Sequence, residues 1–198
     1  VDIEEKGVQI DLNILESMSS ELTKSLTALE QQIFTIVGEK FNLNSPKQLS
    51  DILFTKINLR KTRKIKTGYS TNSSSLASLK KESTGIVAKI LEYRHITKIK
   101  TTYVDSLPKL KNPNSNRLHT KYNQIGSITG RISSSEPNLQ NIPIKTEIGK
   151  RVRNAFIVKD SENFVLMSID YSQIELRILA HLSKDDNLCK AFNANQDI

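Results

Sequence analysis

Asp170-Tyr171-Ser172-Gln173-Ile174-Glu175-Leu176-Arg177 follows directly on the apolar stretch Phe164 to Ile169. The apolar stretch reads as a buried strand. After the motif, Ile174, Ile178 and Leu182 recur four apart while Leu176, Leu179 and Ala180 fill the adjoining stripe. That spacing predicts a helix with one packed face, leaving Glu175 and Arg177 near its mouth. A carboxylate at the C-terminal end of a buried strand, just before a helix, can be fixed as a metal ligand against the phosphates of a nucleotide. Taken alone, an Asp at such a junction is more often a helix cap or a solvated turn residue.

Two runs upstream supply context, Thr129-Gly130-Arg131-Ile132-Ser133-Ser134 and Pro137-Asn138-Leu139-Gln140-Asn141-Ile142-Pro143. With 170–177 they resemble the family A DNA polymerases, the DNA polymerase I or Klenow type, whose first catalytic motif the octapeptide matches. The similarity continues at lower density back to Gly7. It implies an α+β fold in which a long helical thumb hairpin (residues 1–111, with a basic tip near 55–75) precedes the antiparallel-sheet start of a polymerase palm (residues 112–198).

Composition bounds the reading independently. A chain of 198 residues with 37% hydrophobic and 25% charged residues is ordinary for a globular protein of one large or two small domains. No run approaches the roughly 18 apolar residues of a spanning helix, and the first residues do not read as a secretory signal. Cys189 is the single cysteine, so no intramolecular disulfide can form, which fits a reducing compartment. The net charge of +8 is unevenly placed: residues 41–111 carry 15 basic and 4 acidic side chains. Such a block calls for a polyanion, because Lys and Arg neutralising phosphates supply most sequence-independent nucleic-acid affinity. A solvated lysine-rich face is the alternative on charge alone.

Apolar residues at Leu15, Met18, Leu22, Leu26, Leu29, Ile33 and Ile36 predict a long helix over Leu12 to Val37, with Gly38 near its end. Asn44-Ser45-Pro46 predicts a short capped helix through Leu49, Ile52 and Leu53. Between Thr55 and Ser75 the pattern collapses into a basic, polar stretch holding Arg60, Lys61, Arg63 and Lys64, expected to be a mobile tip. A second long helix is expected from about Thr84 to Ser106, stopped by Pro108. Two such helices joined through a basic apex resemble the polymerase thumb, though a scaffold hairpin shows the same periodicity. After the turn-forming cluster 111–116, strands are expected at Arg117–Asn123 and Thr129–Ser133, and a hairpin at Arg151–Val158 and Phe164–Asp170 around the turn Lys159 to Asn163.

The resemblance also implies the chemistry. A primer 3′ hydroxyl attacks the α-phosphate of an incoming dNTP, assisted by two Mg²⁺ ions about 3.5 to 4 Å apart. Asp170 and the backbone carbonyl of Tyr171 are the implied metal ligands. Ser172, Gln173 and Glu175 are the implied nucleotide pocket, with Glu175 filling the space beside the 2′ position and so rejecting ribonucleotides. Read on its own, Glu175 is a solvated helix carboxylate with a partner such as Lys184. Arg177 is expected to brace the palm by ion pairing. Arg131 is assigned to the primer-terminal pair, and Asn138, Gln140 and Asn141 to the adjacent minor groove, where purine N3 and pyrimidine O2 accept at every correct pair. Asn residues in such a loop equally satisfy their own turns.

Lys145, Lys150, Arg151 and Arg153 continue the basic lining. Family members commonly carry arginine where Lys145 stands, histidine where Asn123 stands, and a shorter turn than Lys159 to Asn163. Lys145 keeps charge but loses bidentate geometry. His95, His119 and His181 are too scattered to form a metal site and are expected to pack or hydrogen-bond. The family's fingers helix and second metal-binding Asp lie beyond the motifs seen here, so the chain reads as an internal piece of a longer, monomeric, bacterial cytoplasmic (nucleoid-associated) polymerase of replication and repair. Phage and organellar origins stay open. A non-catalytic module gripping primer-template DNA, and a helical interaction protein with an acidic partner, are the competing readings.

Overall fold

In the computed structural model the chain opens with a short helix, α1 (Asp2–Lys6), ended by Gly7 at φ 58°. A side chain at Gly7 would run into the Leu118 carbonyl, because Val8 and Leu118 exchange backbone hydrogen bonds of 2.9 and 2.8 Å here. Strand β1 (Gln9–Ile10) then leads into α2 (Leu12–Val37). The structure describes residues 2–196 apart from 67, 84, 159 and 161. They fall into two compact units, residues 1–159 and 160–198, with the 111–116 turn cluster inside the first.

Helix α2 forms over the span its periodicity predicts. Asp11 caps it, its Oδ1 accepting from Asn13 N–H at 2.8 Å and Ile14 N–H at 3.3 Å, and Gly38 closes it in the left-handed conformation. Leu15, Met18, Leu22, Leu29, Ile33 and Val37 are buried, while Ile36 is exposed. The last apolar step is therefore four residues, not three.

Ser45 caps α3 (Pro46–Asp51) with Pro46 in its first turn, and the helix runs on into a π-helical turn, Ile52–Lys56. The basic stretch that follows is not structureless. Strands β2 (Lys64–Ile65) and β3 (Gly68–Tyr69) pair antiparallel, and Asn72 caps α4 (Ser73–Ala77).

Helix α5 (Ile86–Ile99) continues as a π-helical turn, Lys100–Val104, so the second long helix ends at Val104; its expected start at Thr84 lies outside the described residues. The wider π turn brings Tyr103 and Val104 together onto the buried face. Pro108 does not stop this helix. It sits in the first turn of the next one, α6 (Leu107–Leu110), where a missing N–H costs nothing. Lys100 bridges the turn to α2: its Nζ donates to Asp105 Oδ2 at 2.6 Å and to Ser19 Oγ at 3.2 Å, and Ser19 donates to Asp105 Oδ1 at 2.7 Å. Burial alone would raise the Asp105 carboxyl, but these hydrogen bonds outweigh it and hold the group below its ordinary value.

Beyond α6 the expected strands are shorter and shifted. Leu118 bridges to Val8, and β4 (Lys121–Asn123) pairs with β5 (Ser133–Ser135) in the register Tyr122 to Ser134. The expected strand at Thr129–Ser133 is mostly turn: Gly130 is left-handed and its N–H bonds Ser127 O at 3.2 Å. The Arg151–Val158 arm is largely a helix, α7 (Glu147–Asn154), capped by Thr146, whose Oγ1 accepts from Gly149 N–H at 3.2 Å. Only β6 (Phe156–Ile157) is extended, and it pairs with β1. Thr146-Glu147 was the missed start signal, and Ile148 and Val152 share a helical face. One core unites these pieces, from Ile10 and α2 through α5 to Val152 and Ala155. Mixed helices and small antiparallel sheets make the fold α+β.

In the second unit residues 164–170 form no strand, and Phe164, Met167 and Ile169 are exposed. A strand exists through its ladder, and the arm expected to pair with this one is already spent on α7 and β1. The expected turn centre is partly outside the described residues, at Lys159 and Ser161; Asp160 Oδ1 accepts from Glu162 N–H and Asn163 N–H at 3.1 and 3.2 Å. Helix α8 (Ile174–Ser183) forms as predicted, but of its apolar stripe Ala180 is the buried member, while Leu182 is exposed. Asp185 caps α9 (Asp186–Asn193).

Gly149 offers a test of how tightly α7 is seated. Inside a helix, Gly→Ala ordinarily stabilises by roughly 1 kcal/mol. Here a Cβ would strike the Pro143 carbonyl oxygen, main chain that cannot rotate away. Overpacking costs about 1 to 3 kcal/mol, so Gly149→Ala should destabilise in urea titration. A raised midpoint would show that the helix and Pro143 are not closely packed.

Candidate nucleic-acid interface and metal-ligand position

The basic apex is held by hydroxyls. Thr62 Oγ1 donates to Ser70 O at 2.7 Å, Ser70 N–H to Arg63 O at 2.9 Å, and Tyr69 N–H to Ser50 Oγ at 3.1 Å. Half-buried Arg94 reaches across from α5 to donate to the carbonyl of Thr71. On this frame Arg60, Lys61, Arg63 and Lys64 are all exposed. Arg60 lies 3.3 Å from Glu82, and the Lys61 ammonium sits 5.5 Å from the Tyr69 ring centroid. Surface pairs of this kind are worth little, so these cations can exchange them for phosphates.

The second group flanks β5, with Arg131 on the β4–β5 connection and the rest on the loop joining β5 to α7. Arg131 follows left-handed Gly130 and is exposed, as are Asn138, Gln140, Asn141 and Lys145. Asn138 partly satisfies its own turn: its Oδ1 accepts from Gln140 N–H at 3.1 Å and from Ser134 Oγ at 3.3 Å. Since a backbone N–H can only donate, this fixes the oxygen inward and leaves the Nδ2 donors for a ligand. Gln140 Nε2 likewise donates to Ile132 O at 2.9 Å. The turn thus takes up the Asn138 acceptor and one Gln140 donor and spares the Asn138 Nδ2 donors. Sequence reasoning missed the buried hydroxyls of Tyr103, Thr120 and Ser134, which touch the same loop.

The third group belongs to the second unit. Asp170, Tyr171 and Ser172 are exposed just ahead of α8, and Gln173 takes up a left-handed φ of 51° that turns the chain into the helix. A non-glycine residue held there stores strain, which concentrates at functional sites. Glu175 lies in the first turn, where a negative charge complements the helix N-terminus. Arg177 donates through Nε to Ser172 O at 2.9 Å and stacks its guanidinium 4.6 Å from the Phe192 ring centroid. The expected ion pair is thereby replaced by a carbonyl and an aromatic face, and Arg177 fixes the motif's main chain. His119 hydrogen-bonds Glu4 O at 2.8 Å and Ser115 Oγ at 2.6 Å.

Among the described residues no three His, Cys, Asp or Glu side chains gather into a metal cage. The donors at 170–171, a carboxylate and a carbonyl, are nevertheless all oxygen. They suit Mg²⁺, which is commonly held by one or two carboxylates with substrate phosphates and water completing the shell.

The sequence model of DNA polymerase family A matches residues 12–198 of this chain. The chain belongs to DNA polymerase family A. It is 46% identical over 197 residues to the thermostable DNA polymerase I of Thermus aquaticus, covering 99% of this chain and 23% of that protein. With DNA polymerase I of Bacillus subtilis it shares 47% identity over 197 residues, covering 100% of this chain and 22% of that one. Among solved structures it resembles the POL domain of Pol1 from M. smegmatis in complex with DNA primer-template and dNTP. The TM-score is 0.88 at 40% identity, over 99% of this chain and 34% of that one. The chain therefore spans about a quarter of the length of its family A relatives, and 170–177 lies inside the matched region. No helix among the described residues is long and apolar enough to cross a membrane.

Proposed function

We propose that this chain supplies the thumb (residues 1–111) and the first part of the palm (residues 112–198) of a DNA-directed DNA polymerase acting in replication and repair. The family match carries the reading, since it runs unbroken through the basic apex, residues 131–145 and the 170–177 motif. Asp170 and the Tyr171 carbonyl hold Mg²⁺, which when bound polarises phosphoryl oxygens and lowers the pKa of a coordinated hydroxyl. Ser172, Gln173 and Glu175 shape the nucleotide pocket, and Arg131 with Asn138, Gln140 and Asn141 meets the minor groove at the primer end. The parent protein is monomeric and works in the bacterial cytoplasm at the nucleoid. Primer extension by the full-length protein on a primed template with four dNTPs and Mg²⁺ tests this directly; no extension would leave duplex binding alone.

The duplex-binding reading has an observation of its own. The apex cations and the minor-groove loop both belong to residues 1–159, on one core. Replacing Arg60, Lys61, Arg63 and Lys64 by Ala should flatten the dependence of log affinity on log salt by about 0.9 for each phosphate that is no longer neutralised. Exchanging one duplex sequence for another should hardly matter, because phosphates carry no sequence information. Fluorescence anisotropy across a salt series reads both, and an unchanged slope would move the duplex away from the apex.

A further inference from the structure

We propose that Tyr103, Thr120 and Ser134 form a hydroxyl clamp that sets the main chain of residues 137–141, with Tyr103 as a positioning residue tying this loop to the end of α5. The inference rests on the reading that the loop meets the duplex minor groove, and it names what holds the loop in place for that task.

All three hydroxyl-bearing residues are buried, at 4%, 6% and 5% exposure. A buried hydroxyl must find its partners inside the protein, and these three find them on one short segment. Tyr103 donates to Asn141 O at 2.5 Å. Thr120 Oγ1 lies 2.6 Å from Pro137 O and 3.1 Å from Ser135 O, sharing its proton between the two. Ser134 Oγ accepts from Leu139 N–H at 3.2 Å and Gln140 N–H at 3.3 Å while donating to Asn138 Oδ1. Both ends and the middle of the segment are therefore fixed from below, and Leu139 and Ile142 pack against the core beside them.

Tyr103 differs from the other two in where it comes from. Thr120 and Ser134 belong to the β4–β5 region, next to the loop. Tyr103 comes from the π-helical turn at the end of α5, and that turn is pinned to α2 through Lys100, Asp105 and Ser19. A shift of the helix end thus carries the Asn141 carbonyl with it. The Tyr103 O–H thus gives a direct hydrogen-bonded link between the helical hairpin that presents the basic apex and the loop that presents the Asn138 donors, beside the core packing of Leu139 and Ile142.

Loop position matters most where donors must meet acceptors at fixed places. A correct primer-terminal pair presents its minor-groove acceptors at the expected positions and a mispair displaces one of them, so a loosened loop loses more on the correct pair. Tyr103→Phe keeps the ring and removes the O–H. In single-turnover extension by the full-length protein, it should lower the ratio of matched to mispaired primer extension by roughly three- to tenfold, the range of one ordinary hydrogen bond. A merely structural role changes the active fraction, which lowers the amplitude of both reactions and leaves the ratio of their rates unchanged. Thr120→Val should act in the same direction and serves if Tyr103→Phe folds poorly. The salt slope of duplex binding should stay unchanged, because the same cations still neutralise the same phosphates. An unchanged ratio in both variants, with Arg131→Ala altering it, overturns the clamp and leaves the minor-groove reading standing. An unchanged ratio in Arg131→Ala as well overturns the minor-groove reading, and the clamp with it.

Discussion

Asp170→Ala, placed in the full-length protein, should lower single-turnover nucleotide incorporation by about three or more powers of ten while leaving primer-template affinity nearly intact. The size follows from what the carboxylate is proposed to hold: electrostatic stabilisation by a bound cation is worth several kcal/mol, and each 1.36 kcal/mol is about tenfold in rate. The selectivity follows from chain position, since the apex cations and the 131–145 residues proposed to bind the duplex lie in residues 1–159 and Asp170 lies in 160–198. Loss of fold is a poor rival explanation. Asp170 is exposed and, among the described residues, makes no hydrogen bond or ion pair, so its removal should change stability by no more than about 0.5 kcal/mol. Asp170→Asn, which removes charge at constant shape, should fall nearly as far. A loss of only a fewfold in either variant would take Asp170 out of the metal site.

The elements that the sequence predicted well are those whose signal is local. Helix α2 begins at Asp11 and ends at Gly38 because a capping carboxylate and a left-handed glycine act over a few residues. Helix α3 likewise starts at a capping side chain, Ser45, and α8 follows from the four-residue spacing of its own apolar residues. The 170–177 motif was legible as a unit because its residues are contiguous, and the left-handed Gln173 marks the turn that joins its two halves. What failed depends on partners far away in the chain. Phe164–Ile169 has strand composition, but composition cannot say whether another strand is available to pair with it. Arg151–Val158 alternates well enough for a strand, yet Thr146 caps a helix there and Gln9–Ile10 takes the two residues that remain extended. The hydroxyls beneath the 137–141 loop were invisible for a like reason: Tyr103 and Asn141 stand 38 residues apart, and nothing in either residue announces the other. The apex read as mobile because its periodicity vanishes. Ser50, Thr62, Ser70 and Thr71 order it through hydrogen bonds, which leave no hydrophobic period to detect.

Arg131→Ala and Glu175→Ala should separate in their response to the sugar, because the two residues are proposed to meet different parts of the substrate. Arg131 offers a charged donor to the primer-terminal pair, and a hydrogen bond to a charged group is worth roughly 1.5 to 3 kcal/mol. Its loss should therefore lower incorporation efficiency by about tenfold to a hundredfold, for deoxyribonucleotides and ribonucleotides alike, since the primer end is the same in both reactions. Glu175 stands in the first turn of α8, two residues after the left-handed Gln173 that sets the direction of the helix. Its proposed contribution is volume: a carboxylate side chain filling the space beside the 2′ carbon leaves no room for a further oxygen. Glu175→Ala opens that space, so ribonucleotide use should rise relative to deoxyribonucleotide use, with a smaller change in the deoxyribonucleotide rate itself. Measuring single-turnover incorporation of both sugars by both variants gives four rates from which the two roles can be read apart. Unchanged sugar discrimination in Glu175→Ala would reduce that residue to a surface charge at a helix N-terminus. A defect in Arg131→Ala confined to one sugar would place the guanidinium at the incoming nucleotide instead of the primer end.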